Sequence, residues 1–365
     1  MNGASGPGAP RGALEREAAL PLVTADLPGS GGVVKASPED FRVDEIPAYL
    51  PAGTGPHLWL RVEKRDRTTR DVVRALAHAL SVPERDVGYA GLKDRAAVTT
   101  QWLSFPLARD PDPAGLAGDG FRVLEASRHG NKLRTGHLRG NRFAIAVRGG
   151  DPGRARACAA ALRERGLANF FGFQRFGAMG QNADIGRALL QGKLEAAEVR
   201  RAARDRFLRR LVLSAWQARL FNRWLAERLA DGLLAVAIRG DALKKLSTGG
   251  LFTCEDPAAD SARVAAFEVS PTGPMFGHKM RPAAGDALAR EERLLADDGM
   301  TASDLARGGG ESEGTRRAGR IPLALGIEPL GDDGYLVEFE LPKGSYATVV
   351  MRELVKGEIA LAEAE

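Results

Sequence analysis

The stretch VGYAGLKDRAAVTTQWLSF, residues 87–105, decides how the fold is read. It reads as a short strand, a tight turn and a longer strand, with the polar residues gathered at the turn. There one carboxylate, Asp94, stands between two cations, Lys93 and Arg95. Two readings are open. Lys-Asp-Arg after a glycine is common surface-turn chemistry, and from the local pattern this reading leads. The other is an aspartate whose flanking cations hold it in the ionised, nucleophilic form, made rigid by an apolar strand on each side.

Working outward toward the N-terminus, GGVVKASPEDFRVDEIP (31–47) gives two short extended segments around a Ser37-Pro38 turn, because Pro38 disfavours helix at Ser37. HLWLRVEKR (57–65) alternates, with Leu58, Leu60 and Val62 on one face of a half-buried strand. Thr68, with Asp71 three residues on, is a capping box. Val72, Val73, Leu76, Ala79 and Leu80 then form one helical stripe, which Pro83 ends. Toward the C-terminus come a Pro/Asp/Gly loop (109–120) and strands at FRVLEASRH and NRFAIAVRG. Asp151-Pro152 starts a helix that Gly166 stops. Strands in runs between few helices give an α+β plan with an antiparallel or mixed sheet.

The texture then changes. FLRRLVLSAWQARLFNRWLAERLADG (207–232) reads as one long helix, followed by a further helix at 283–298 and a Gly/Ser/Arg loop at 308–319. Strands return at 320–342, and KGSYATVVMRELVKG is a turn into a C-terminal helix. A strand-rich start and end around a different middle predict a domain of residues 29–194 and 320–365 with an insertion at 195–319. The Gly/Ala/Pro-rich residues 1–28 are expected to be a disordered tail.

Composition narrows the function. The chain of 365 residues is long enough for two domains. Its 52 Lys and Arg against 47 Asp and Glu leave a net charge of +5, a modest excess that favours an anionic partner without establishing one. Two distant cysteines, Cys158 and Cys254, exclude a disulfide framework and a four-cysteine metal site. No histidines have HExxH or HxxxH spacing, so no metal is expected. No run approaches the ~20 apolar residues of a membrane helix, and the N-terminus lacks a signal-peptide core. A cytoplasmic protein with no membrane association is expected.

Other stretches carry candidate chemistry. In NFFGFQRFG (169–177) four phenylalanines interleave with Asn169, Gln174 and Arg175. They are either a packed loop or the stacking faces and edge contacts that an extruded base needs. HGNKLRTGHLRGNRF (129–143) carries Lys132, Arg134, Arg139 and Arg142, either a solvated hairpin or a phosphate-contacting loop that binds without sequence readout. SPTGPMFGHKMRP (270–282) and PKGSYATVVMREL (342–354) are Gly/Pro turns with one aromatic each. Tyr346, in the second, packs or stacks on a base.

Taken in order, PEDFRVDEIP, GYAGLKDRAAVTTQ, RGNRF, NFFGFQRFG, GPMFG and PKGSYATVVMREL resemble the TruD family of pseudouridine synthases, over nearly the whole chain from Lys35. The resemblance implies an α+β pseudouridine-synthase fold, a mixed, mostly antiparallel sheet flanked by helices, with an inserted TruD-specific α/β domain. That domain would close over the RNA as the second wall of a basic cleft. It implies isomerisation of uridine to pseudouridine at position 13 of tRNA, a reaction with no redox step or net hydrolysis and so no need of a cofactor or metal. No segment signals an oligomer, and a monomer is expected. Asp94 falls on the catalytic aspartate and Lys35 on the basic residue that accompanies it. Phe41, Asn169, Phe171 and Tyr346 fall on positions lining the uridine pocket. The aspartate attacks the ribose or removes a ribose proton; the sequence leaves both open. A non-catalytic tRNA-folding chaperone is the alternative, and it would not need Asp94.

Overall fold

The computed structural model describes residues 20–177 and 179–357. The chain divides into a sheet unit, residues 26–163 with 323–357, and a helical unit, residues 20–25 with 164–322. Elements are numbered along the whole chain.

The sheet unit holds β1 (Val33–Val34), β2 (Phe41–Pro47), β3 (His57–Arg65), β4 (Gly88–Tyr89), β5 (Val98–Pro106), β6 (Phe121–His129) and β7 (Leu138–Arg148). It also holds β14 (Gly326–Pro329) and β15 (Gly334–Pro342), which follow the strands of the helical unit. Among the described residues these nine form one sheet in the order β14-β15-β7-β2-β5-β3-β6, with β1 on β7 and β4 on β5. β2 and β5 run parallel and the other pairs antiparallel. Stretch 87–105 is therefore the β4–turn–β5 unit at the centre of the mixed sheet, as its pattern indicates.

Helix α1 (Thr69–Leu80) starts at the expected capping box: Thr68 Oγ1 accepts from the Asp71 amide at 3.0 Å, and Asp71 Oδ2 accepts from the Thr68 amide at 3.2 Å. Val72, Val73, Leu76 and Leu80 are buried, but Ala77 replaces Ala79, which is exposed. At 3.6 residues per turn the two alanines lie at opposite edges of the stripe, and it is the Ala77 edge that packs into the core. The stripe packs on Leu58, Leu60 and Val62. β3 is not half-buried as its alternation suggests. Its other face is covered as well, because Trp59 packs with Ala90, Trp102 and Leu133. Helix α2 (Pro152–Arg165) is capped by Asp151 Oδ1, which accepts from the amides of Gly153 (2.8 Å) and Arg154 (3.1 Å). Gly166 ends it at φ +75°, where any side chain would meet the Phe267 ring.

The helical unit contains β8 (Leu167–Ala168), α3 (Asn182–Leu190), α4 (Ala197–Arg204), α5 (Arg206–Ala230), β9 (Ala242–Lys245) and β10 (Leu251–Thr253). It continues with α6 (Pro257–Ala265), β11 (Val269–Met275), α7 (Gly285–Asp297), α8 (Ala302–Arg307), β12 (Thr315–Ala318) and β13 (Arg320–Ile321). An antiparallel sheet β10-β9-β11-β12 and the pair β8–β13 are built around α5, whose Leu213, Trp216, Leu220, Phe221 and Leu225 are buried. The expected loop at 308–319 contains β12. Its charges read as loop chemistry, yet Arg316 is buried against Glu291, with Nη1 2.5 Å from Oε1. The unit begins at 164, where β8 pairs with the returning β13.

The tail expected over 1–28 lies outside the described residues as far as residue 19. From residue 20 it is packed rather than disordered. Val23 and Thr24 are buried, and the Lys356 ammonium donates to the Leu27 carbonyl at 2.5 Å. The last helix, α9 (Ala347–Val355), follows β15 in the sheet unit.

Candidate active site

The Asp94 loop is fixed from four directions. Thr69, at the first position of α1, accepts from the Lys93 amide (3.0 Å) and donates to Gln101 Oε1 on β5 (3.0 Å). Gln101 Nε2 in turn donates to the Gly91 carbonyl (3.3 Å). The buried Lys64 ammonium of β3 donates to the carbonyls of Asp94 and Arg67, both at 2.6 Å. Hydrogen bonds from a charged donor are each worth roughly 1.5–3 kcal/mol. The Lys93 side chain turns inward. Its Nζ donates to Asn141 Oδ1 (2.7 Å) and lies 2.9 Å from Glu45 Oε2, at an angle outside hydrogen-bond geometry. Glu45 and Asn141 face each other across β2 and β7, so one ammonium reaches both. Glu45 Oε1 also accepts from the Trp102 amide (3.3 Å). Gly88 in β4 leaves no room for a side chain against the Leu133 carbonyl.

Asp94 itself points out. Its side chain is 43% exposed, and its Oδ2 lies 3.5 Å from the ammonium of Lys35, whose side chain is 7% exposed. Lys35 directly follows β1 and adopts φ +62°, a left-handed conformation that costs a non-glycine residue about 1–3 kcal/mol. Its ammonium sits 4.0 Å from the centre of the Phe41 ring, a cation–π contact. Phe41 is buried, set edge-on against Phe143 (6.2 Å), which stacks on Phe339 (5.1 Å). Asp40, just before it, caps the turn after Ser37. Burial pushes its carboxyl up, but the Arg148 guanidinium (Nε to Oδ1, 3.0 Å) outweighs this and leaves it below the usual carboxylate range. The structure thus brings Asp94, Lys35 and Phe41 together. Tyr346 is half-buried at the N-terminus of α9 in the same unit.

Asn169 and Phe171 form a second cluster, in the helical unit. Asn169 Nδ2 donates to the Ala318 carbonyl (2.9 Å), and its Oδ1 accepts from Arg317 Nη2 (2.7 Å). The Asn169 carbonyl accepts from Arg317 Nε (3.1 Å). The Arg317 guanidinium lies over the Phe171 ring, 4.0 Å from its centre, and Phe221 meets that ring edge-on. Asn222 of α5 fixes the Phe171 backbone at both ends, accepting from its amide (2.8 Å) and donating to its carbonyl (2.9 Å). Arg317 is the functional candidate that the sequence reading missed. Its partners lie 148 and 146 positions away, and TRRAGR read only as loop charge.

The basic loop is heterogeneous. Lys132 Nζ donates to the Arg85 carbonyl (3.0 Å), and Arg142 pairs with Glu340 (Nη2 to Oε1, 2.7 Å). Arg134 and Arg139 are exposed, with no ion pair among the described residues. No group of three or more His, Cys, Asp or Glu able to hold a metal occurs among the described residues. No helix among them is long and apolar enough to cross a membrane.

A mixed, mostly antiparallel nine-stranded sheet flanked by helices is a pseudouridine-synthase fold, and a solved structure matches it. The crystal structure of a Methanosarcina mazei protein described as a tRNA pseudouridine synthase D superposes with a TM-score of 0.74 at 24% identity, covering 94% of this chain and 97% of that one. The family model described as tRNA pseudouridine synthase D (TruD) matches residues 19–206 and 198–354. The tRNA pseudouridine synthase D of Anaeromyxobacter dehalogenans is 71% identical over 344 residues, 94% of this chain and 98% of that one. That of Thermus thermophilus is 43% identical over 342 residues, 93% and 92% of the two chains. The chain belongs to the TruD family.

Proposed function

We propose that this chain isomerises uridine to pseudouridine at position 13 of tRNA, with Asp94 as the catalytic carboxylate. Family membership and the names of the relatives support the tRNA pseudouridine synthase class. The observation that carries the Asp94 assignment is an exposed carboxylate on an immobilised loop, with its charge opposite the buried ammonium of Lys35. A surface turn needs neither. The reaction breaks the C–N glycosidic bond, turns the base and forms a C–C bond. Asp94 either attacks C1′ of the ribose and is displaced as the base carbon bonds there, or takes a ribose proton and returns it once the C–C bond has formed; in both routes the base carbon loses its proton and the freed base nitrogen gains one. Lys35 keeps a positive charge beside it throughout, and Phe41 holds that charge in place. No electrons are exchanged and no water is consumed.

For the base and its neighbours we assign Tyr346 and the Asn169–Phe171–Arg317 cluster. Both ends of the Asn169 amide and one face of Phe171 are engaged by Arg317 or its strand, which supports a role for the pair in aiming that guanidinium. On this reading the sheet unit is the catalytic domain and the helical unit the insertion. Lys132, Arg134, Arg139 and Arg142 contact RNA phosphates.

Asp94→Asn tests the assignment, because it removes the charge and keeps the shape. The variant is expected to bind tRNA and make no pseudouridine at position 13, read by chemical mapping of the product. Turnover at the wild-type rate would falsify it.

A further inference from the structure

The elbow between α4 and α5 concentrates the chain's charge. Residues 193–210, KLEAAEVRRAARDRFLRR, hold seven cations and three acids, a net +4 in a chain whose whole excess is +5. At 3.6 residues per turn Ala197, Arg200, Arg201 and Arg204 fall within roughly 100° of arc on α4, opposite the buried Val199 and Ala202. With Asp205, Arg206 and Phe207 these residues line an open groove of about 630 Å³.

The acids do not neutralise this face. Asp205 is used as the N-cap of α5, its Oδ1 accepting from the Leu208 amide at 3.0 Å. Glu311 draws on Arg206 (3.6 Å) and Arg209 (3.7 Å). Arg200 is fixed without losing its charge, because Nη1 donates to the Leu194 carbonyl (3.0 Å) and to that of Glu195 (2.5 Å). Arg201 and Arg204 are exposed, with no ion pair among the described residues. Most arginines around them in this unit are paired, among them Arg219, Arg223, Arg290 and Arg307. Beside the groove stands Phe207, 66% exposed, at a position that a solvated helix end would fill with a polar residue.

We propose that this elbow is an RNA-backbone site: Arg200, Arg201 and Arg204 bind successive phosphates, and Phe207 stacks on an unpaired base or covers a ribose. Fixed guanidinium groups suit phosphate geometry, and an aromatic among cations suits single-stranded or loop nucleotides. The site uses none of the residues of the Asp94 loop or of the basic loop at 129–143. It rests on the reading of the substrate as tRNA.

The test is the full-length chain carrying Arg201→Gln with Arg204→Gln, both exposed, against tRNA in filter binding from 50 to 200 mM KCl. Each lost phosphate contact flattens log Kd against log salt by about 0.7–0.9, so two contacts flatten it by about 1.4–1.8. Affinity at the lowest salt is expected to fall by ~10-fold or more, and Phe207→Ala to weaken binding while leaving the salt slope alone. An unchanged slope and affinity in a variant with the wild-type melting temperature overturns the proposal. So does intact tRNA binding coupled to lost binding of anionic phospholipid vesicles. Pseudouridine formation by the wild type is assayed in parallel. Its absence sinks the isomerase reading and leaves the binding result to judge the groove.

Discussion

Lys93→Met isolates what holds Asp94. The Lys93–Glu45 pair is 2.9 Å long, with side chains only 6% and 1% exposed, so water screens it little. Methionine keeps the length of the stem and removes the charge. Glu45 is then a buried carboxylate whose remaining described partner is the Trp102 amide. Removing one member of a buried pair costs about 3–5 kcal/mol, a large part of the ~5–15 kcal/mol that keeps a domain folded. The sheet unit falls in the size range where 1 kcal/mol shifts Tm by ~2–4 °C, so the expected drop is about 6–20 °C. Adding Glu45→Gln removes the stranded charge and keeps an acceptor for Trp102. The double variant should recover most of the stability, read by urea unfolding. Its kcat should not recover, because the side chain tying the loop to β2 and β7 is still missing, and a displacement of ~1 Å at a reacting group costs about 100-fold. Two outcomes refute the reasoning: a single variant within ~1 kcal/mol of wild type, or a double variant whose kcat returns along with its stability. The second would mean that Lys93 serves the fold alone.

Other expectations follow from the same geometry. Asn222→Ala removes both bonds to the Phe171 backbone and should destabilise the helical unit by about 1–3 kcal/mol per buried group, read by denaturant unfolding. Arg317→Lys loses the guanidinium contact with the Phe171 ring and the two-point grip on Asn169, and is expected to cut kcat/KM by ~10-fold or more; wild-type kinetics would rule out a role for the guanidinium. Acid sensitivity should track Asp40. Its folded value lies below its unfolded 3.8, so its contribution is present above that value and is lost as pH falls through the folded one. Asp40→Asn should therefore flatten the loss of stability below about pH 4, and a curve as steep as wild type counts against the Arg148 pairing.

What was legible in the sequence was local. The Thr68 and Asp151 caps, the Gly166 stop and the 25-residue helix α5 depend on residues within a few positions of one another. What was hidden depends on partners that only the sheet assembles. Lys64 falls on the same face as Leu58, Leu60 and Val62, and its charge is buried there because the Asp94 and Arg67 carbonyls meet over it. Trp59 looked like an outward residue until β5 supplied Trp102. In TRRAGR the alternation Arg316-in, Arg317-half-out was masked by like charges, and only Glu291 and Phe171 separate their roles. Asp94, Lys35 and Phe41 were placed by family resemblance and not by pattern, because nothing local links positions 35, 41 and 94.

An acid between two bases turns out to be an arrangement in which neither base serves the acid. Lys93 is taken by Glu45 and Asn141, and Arg95 Nε lies 3.5 Å from Asp66. Lys64 holds the Asp94 carbonyl and not its carboxylate. Among the described residues only Lys35, 59 positions away, faces the carboxylate, and at 3.5 Å it is farther than the ~2.7–2.9 Å of a tight charge-assisted bond. That division has a chemical consequence on the proposed mechanism. A carboxylate gripped at close range by its neighbours would be a poor nucleophile or base, because each bond would have to break as the oxygen moved to the ribose. Here the backbone is immobilised by cations that do not touch the reacting oxygens, and the facing cation is held by the Phe41 ring at a distance that supplies field without a tight bond. Replacing Lys93 should therefore disturb where Asp94 is, and replacing Lys35 what charge it meets.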